Sequence, residues 1–278
     1  MVGDQHQDGA AGGARTLADR LAAAGVTDRA DAMQAWLRLR AVEGNRATVI
    51  DLYELAAGPR GLAAHELPVT ERLTLARQAV PYMWPGFSIT DGSERPAVPL
   101  VVIDYDPAWP QTYARWQHRI GAALGRAALR IEHVGSTSVP GLAAKPIVDI
   151  QVSVADLADE PRYVPQLEKA GLVLRSRDEL HRYFRPPAGQ PREVHVHVCA
   201  AASQWERDHL LFRDYLRADP TACRRYAEAK RANIRRWNDD GWAYTEAKTS
   251  VVLDILEQAT DWARVTDWAP PPYSPTPR

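Results

Sequence analysis

The sequence predicts an α+β protein: a helical N-terminal region, then a small mixed β-sheet flanked by helices, then C-terminal helices. Three observations support this. From Arg15 to about Val80 the apolar residues recur at helical spacing. Ile147 to Val154 and Arg192 to Val198 alternate with the period of two expected of strands. After Ser203 the helical period returns and runs to about Val265. The division that follows is a tail at 1–14, a helical domain at 15–98, a sheet-bearing domain at 99–265 and a proline-rich tail at 266–278.

In the first region Leu17 and Leu21 lie one turn apart, Met33 and Leu37 repeat the spacing, and Val49, Leu52, Tyr53 and Ala56 make a third stripe. Gly25, Gly44 and Gly58-Pro59 stand where helices should stop, and Pro68 before Val69-Thr70-Glu71 marks a new start. Pro81 and Pro85 are expected to end that helix, and Asp91 to Pro96 reads as a turn or linker. In the second region Val101-Val102-Ile103 is a strand candidate, and Trp109, Tyr113, Trp116 and Ile120 share one face of a helix. Leu129 to Val134 is a strand entering the turn Gly135 to Gly141. Val148, Ile150, Val152 and Val154 share one face of the next strand, opposite Asp149, Gln151 and Ser153. The later strand sets Val194, Val196 and Val198 against Glu193, His195 and His197. Asp219-Pro220 and Asn238 to Gly241 divide the C-terminal helices into about three segments.

Composition narrows the function. With 278 residues, 34 Lys+Arg against 35 Asp+Glu and 45% hydrophobic residues, the chain has apolar mass for a substantial core. The balanced charge argues against a dedicated nucleic-acid binder. Cys199 and Cys223 form no CxxC pair, which argues against a disulfide scaffold or a cysteine zinc module. No run approaches the ~18 apolar residues of a membrane span, so no membrane partner is expected and the cytoplasm is the expected compartment.

The strongest local signal is Glu132 to Gly141, EHVGSTSVPG. A strand that ends in Gly135-Ser136 and turns can present backbone N–H groups and hydroxyls to a phosphate, although a hydroxyl-rich surface turn reads the same way. Asp149 follows Ser136 by 13 residues on the polar face of a Val/Ile-rich strand, where a carboxylate calls for a cation such as Mg²⁺ or for solvent. Lys145 precedes that strand and either reaches a phosphate or stays exposed. Glu193, His195 and His197 share a face, which suits a zinc site of two imidazoles and an acid, or a magnesium site with Glu193 as ligand and a histidine as base. Arg182 and Arg185 offer guanidinium groups shaped for phosphate. Tyr226 and Lys230, like Tyr244 and Lys248, are spaced i, i+4; such a pair faces a nucleotide or forms an amphipathic surface.

The string His133 to Ile150, HVGSTSVPGLAAKPIVDI, together with His195-Val196-His197, Phe212 to Leu216 and the late Tyr244 and Lys248, resembles the GrpB family from about Val101 to Ala259. That family is a branch of the nucleotidyltransferase-fold superfamily. The resemblance implies a nucleotidyltransferase-like fold, Gly135-Ser136 as the nucleotide-triphosphate turn and Asp149 as a metal-binding carboxylate. The superfamily's usual second acid, two residues after the first, is Gln151 here, so Glu193 or the histidines must complete the coordination, or one metal binds. The GrpB domain also occurs fused to dephospho-CoA kinase in actinobacteria, but no P-loop is present in this sequence.

The expected activity is transfer of a nucleotidyl group from ATP or another nucleoside triphosphate to a small-molecule acceptor, or activation of a carboxylate as its adenylate for ligation. Asp149 and Glu193 would hold Mg²⁺ or another divalent metal. Gly135, Ser136, Arg182, Arg185, Tyr244 and Lys248 would bind the nucleotide, with Asp149, His195, His197 and Lys145 in catalysis. The alternatives are a non-catalytic nucleotide or small-ligand binder and a His/acid metal-dependent hydrolase. The N-terminal helices would serve as an acceptor lid or a homodimer surface.

Overall fold

A computed structural model describes residues 15–91 and 99–273. The expected 1–14 tail, the linker core and domain boundary near residue 98, and the last five residues lie outside them.

The N-terminal helices are α1 (Leu17–Ala23), α2 (Ala32–Glu43), α3 (Val49–Ala57) and α4 (Val69–Met83). Their ends follow local chemistry. Thr16 and Thr48 close capping boxes with Asp19 and Asp51, and Gly25 and Gly44 turn the chain through positive φ. The buried face of α2 is Ala35, Trp36 and Leu39 rather than the Met33/Leu37 stripe, because Trp36 carries the largest apolar surface and donates to Thr48 O at 2.8 Å. Pro81 does not end α4; it lies within the last turn, where few further bonds remain to be lost, and the helix stops at Met83 before Pro85.

The sheet is mixed and six-stranded. Its strands are β1 (Ser88–Ile89), β2 (Arg130–Val134), β3 (Val148–Val154), β4 (Val173–Arg177), β5 (His181–Arg185) and β6 (Val194–Ala200), in the order β1-β4-β5-β6-β3-β2. Only the central β3/β6 pair is parallel. β1 corrects the expectation of a wholly helical 15–98, since it pairs with β4 at the sheet edge. The strand expected at Val101 to Ile103 is a single bridge between Ile103 and Ala144.

One sheet face carries Val148, Ile150, Val152, Val194, Val196, Val198 and Phe184 and is covered by α5 (Trp109–Leu124) and α6 (Val164–Lys169). Trp109, Trp116 and Ile120 of α5 are buried there, as the helical stripe requires. The opposite face is not open to solvent. Gln151 and Ser153 are fully buried beneath α7 (Gln204–Ala218). The polar residues meet a carboxylate from that helix: Glu206 pairs with Arg130 at 3.1 Å, accepts from the Ser153 hydroxyl, and accepts from Tyr273 at 2.9 Å. Hydrogen bonding makes such burial tolerable.

The C-terminal region continues with α8 (Pro220–Trp237), α9 (Gly241–Glu246) and α10 (Thr249–Thr266), one segment more than the breakers suggest, because the chain turns again at Ala247-Lys248. Trp237, Ala243 and Tyr244 belong to the same apolar core as α1 to α4. The N-terminal helices are thus packed on the C-terminal ones. No helix among the described residues is long and apolar enough to cross a membrane.

Candidate functional site

The parallel register of β3 and β6 sets Asp149 opposite His195 and Gln151 opposite His197, with all four side chains on the face beneath α7. His195 Nδ1 lies 3.2 Å and His197 Nε2 3.7 Å from Asp149 Oδ1, and the three ligand-type atoms fall within 4.8 Å of one another. Burial alone would raise the Asp149 pKa, but the hydrogen bonds and charges of His195 and then His197 outweigh it and hold the carboxyl well below its usual range. Burial pushes His195 down to about 4 against the pull of Asp149. An ionised carboxylate beside neutral imidazole is the protonation state that metal binding needs.

Arg192 Nε donates to His195 Nε2 at 2.9 Å, which assigns the ring proton to Nδ1, facing Asp149. A cation held at Nδ1 therefore requires Arg192 to release the ring and the proton to leave Nδ1. Two imidazoles and one carboxylate suit zinc or another borderline divalent ion; magnesium prefers oxygen donors. The donor set does not fit the magnesium expected from sequence.

The turn after β2 overhangs this cluster. Gly135 has φ 66°, and a Cβ there would stand 2.5 Å from Asp149 Oδ2, so only glycine lets the backbone approach the carboxylate. Ser138 donates to Gly135 O at 2.6 Å, His133 Nε2 lies 2.9 Å from the Thr137 hydroxyl, and Arg217 Nη2 donates to Ser138 O at 2.7 Å. Arg213 donates to His133 O at 3.1 Å and pairs with Glu132 at 2.7 Å. The turn is fastened through its carbonyls and hydroxyls by α7, and the Tyr226 side chain meets Ser136 from α8.

Three lysines close the site. Lys248 Nζ stands 4.4 Å and Lys145 Nζ 5.0 Å from the Tyr244 ring, and Lys230 Nζ stands 4.5 Å from the Tyr226 ring. Both i, i+4 pairs thus face inward. Lys230 is 2% exposed and its side-chain nitrogen has no hydrogen-bond partner among the described residues. Burial and then Lys248 push Lys230 down to about 6; burial and then Lys145 push Lys248 to about 7. Lys145 is lowered by burial despite Asp149. Three lysines within the electrostatic reach of a single carboxylate make a site short of anions.

Three expected members stand elsewhere. Glu193 accepts from Trp116 Nε1 at 2.9 Å and lies 3.6 Å from Arg115, because it precedes β6 and turns toward α5. It is not among the metal-type ligands. Arg182 shares the Phe184 face of β5, opposite the histidines, and pairs with Glu160 at 2.6 Å. Arg185 shares the histidine face but is tied to Asp91 at 3.4 Å near the β1 edge. Tyr226 and Lys230, whose spacing left open a nucleotide-facing pair or an amphipathic surface, join the site, as does Arg192, which stands before β6 with no pattern to mark it.

Residues 99–258 match the protein family described as GrpB protein. The chain belongs to the GrpB family. A UPF0157 protein of Streptomyces coelicolor is 47% identical over 164 residues, 59% of this chain and 86% of the relative. One from Halalkalibacterium halodurans is 43% identical over 164 residues, 58% and 82% of the two chains. A longer relative, the dephospho-CoA kinase of Mycolicibacterium paratuberculosis, is 34% identical over 200 residues, 62% of this chain but 49% of its own length. The crystal structure of GrpB from Enterococcus faecalis superposes with TM-score 0.53 at 29% identity, covering 59% of this chain and 99% of its own. Asp149, His195, His197, the Gly135 turn and all three lysines lie inside the GrpB region, whereas α1 to α4 lie outside it.

Proposed function

We propose that this GrpB protein transfers a nucleotidyl group from a nucleoside triphosphate to a small-molecule acceptor, with adenylation of an acceptor carboxylate as one form of that reaction. The observation that carries it is the cluster of Asp149, His195 and His197 beneath the Gly135-Ser136 turn, faced by Lys145, Lys230 and Lys248. The nucleotidyltransferase-like fold inferred from the sequence supports the same reading by analogy.

Asp149, His195 and His197 would hold one borderline divalent ion, which when bound supplies positive charge at the reacting phosphate oxygens. Gln151 is fully buried and offers no second acid. Lys145 and Lys230, charged against the bound anion, and the turn's N–H groups bind and orient the polyphosphate, and they stabilise charge that builds on the departing pyrophosphate. The acceptor oxygen attacks the α-phosphorus, the bond to the pyrophosphate oxygen breaks, and the acceptor's proton passes to the unprotonated amine at Lys248 Nζ. His195 and His197 are engaged at the ion and do not serve as the base expected from sequence. Tyr226 and Tyr244 orient the lysines.

The donor set of two imidazoles and an acid also favours a second reading, hydrolysis of a phosphate ester with water as acceptor. One assay separates these. The protein is loaded with Zn²⁺ or Mn²⁺ and given ATP and a panel of hydroxyl and carboxylate acceptors. Pyrophosphate release that rises with acceptor and is abolished by Asp149→Asn supports transfer; release indifferent to acceptor supports hydrolysis. Nucleotide binding with no turnover under any condition overturns both.

A further inference from the structure

A cavity of about 530 Å³ lies between the N-terminal helices and the C-terminal α8 to α10, and it shares no lining residue with the Asp149 cluster. Its volume falls within the range of small-molecule sites. Most of its wall comes from residues before 99, outside the GrpB match, so this chain builds it with its own addition.

Charge in this cavity is unevenly satisfied. Arg20 is paired with Glu43 and Asp51, both at 2.6 Å, and Arg46 with Asp254 and Glu257 at 3.1 and 2.8 Å. At the exposed rim Arg236 and Glu54 oppose each other in sign. The deeper acid, Glu246, is 8% exposed and makes no hydrogen bond or ion pair among the described residues; Arg40 and Lys248, neither of which lines the cavity, act on it only through their charge. An unpaired buried carboxylate is costly, and burial duly pushes Glu246 up to about 7. Trp237 and Leu62 add an apolar wall. A ligand that fills this space must bring a cationic donor for the deep acid and hydrocarbon for the wall.

We infer that this cavity binds a small aliphatic amine, its ammonium paired with Glu246 and its carbon chain laid against Trp237 and Leu62. Such a site is separate from the one at Asp149, and binding is read directly, so the inference does not depend on the transferase reading. The test is isothermal titration of the full metal-free chain with putrescine and with spermidine at pH 8 and 0.15 M salt. Saturable binding is expected, weakened at least tenfold by Glu246→Gln and unchanged by Asp149→Asn. Leu62→Trp, which fills the cavity from its mouth without touching the acid, should also abolish binding and guards against misfolding of the first variant. No binding of either amine, equal binding by the Glu246 variant, or loss of binding in the Asp149 variant overturns the proposal.

Discussion

A Cβ at residue 135 would stand 2.5 Å from Asp149 Oδ2, so the turn and the carboxylate fit together only while residue 135 is glycine. Gly135 also holds φ 66°, which L side chains rarely adopt. Gly135→Ala should cost about 1–2 kcal/mol of stability and displace Asp149, lowering metal affinity at least tenfold. Gly141→Ala is the control. Its φ is 79° but nothing lies within 4 Å of the added methyl, so it should carry the backbone cost and leave metal binding intact. Titration with Zn²⁺ and urea unfolding distinguish the two, and equal metal affinities would count against the close approach.

The lysines predict a pH signature. Lys230 falls from an unfolded value near 10.5 to about 6, so between these limits the unfolded state holds more protons and stability rises with pH. Lys230→Met should therefore stabilise the protein by about 1–3 kcal/mol at pH 7, with the gain vanishing toward pH 11. The same variant should weaken triphosphate binding. Because Lys230, at about 6, is largely neutral at pH 8, a bound polyphosphate should recharge it and take up a proton, while Lys248 stays neutral as the base. Titrations in buffers of different ionisation enthalpy measure that uptake; zero uptake in the wild type would contradict the assignment.

Much of this site could be read in the residue order, and what escaped had a physical reason. Period-two alternation was enough to place Asp149, His195 and His197 on one face, because adjacent strands share their pleat. The same rule misled at Glu193, which stands one residue before β6 begins and is captured by Trp116. Arg182 stands out by its phosphate-shaped guanidinium alone, and its face follows from the β5 register with β6, a pairing no single strand reveals. Lys230 was ambiguous because an i, i+4 Tyr/Lys pair looks the same on an exposed helix and on one facing a cavity. Alternation put Gln151 and Ser153 on the polar face but not what covers it, since α7 reads as amphipathic surface until Glu206 is seen among them.

Glu206 is the test of that buried polar layer. It accepts from Ser153, Tyr273 and the Ala202 backbone and neutralises Arg130, itself 7% exposed. Glu206→Ala leaves the guanidinium buried without its counter-charge and should cost about 3–5 kcal/mol. Exchanging the pair together, Arg130→Met with Glu206→Leu, should cost much less, because no orphan charge remains. Denaturant midpoints of the single and double variants decide this, and additive losses would mean that the pair is not the fastening.

Arg192 sets the last expectation. It donates from Nε to His195 Nε2 at 2.9 Å and from Nη2 to the Tyr183 hydroxyl at 3.3 Å, linking the histidine strand β6 to its neighbour β5. While that bond holds, the His195 proton stays on Nδ1, the nitrogen that faces Asp149. A divalent ion must displace both the proton and the guanidinium's influence, so Arg192 competes with the ion for the ring and adds like charge beside it. Arg192→Ala should therefore bind Zn²⁺ about tenfold more tightly than the wild type at pH 7, since the neutral ring is then free to carry its proton on Nε2 and offer Nδ1 to the ion. Arg192→Lys keeps the charge but loses the fixed geometry at Nε, and should fall between them. An affinity that drops in Arg192→Ala would show that the arginine supports the metal-binding conformation, and the tautomer assignment at His195 would have to be reversed.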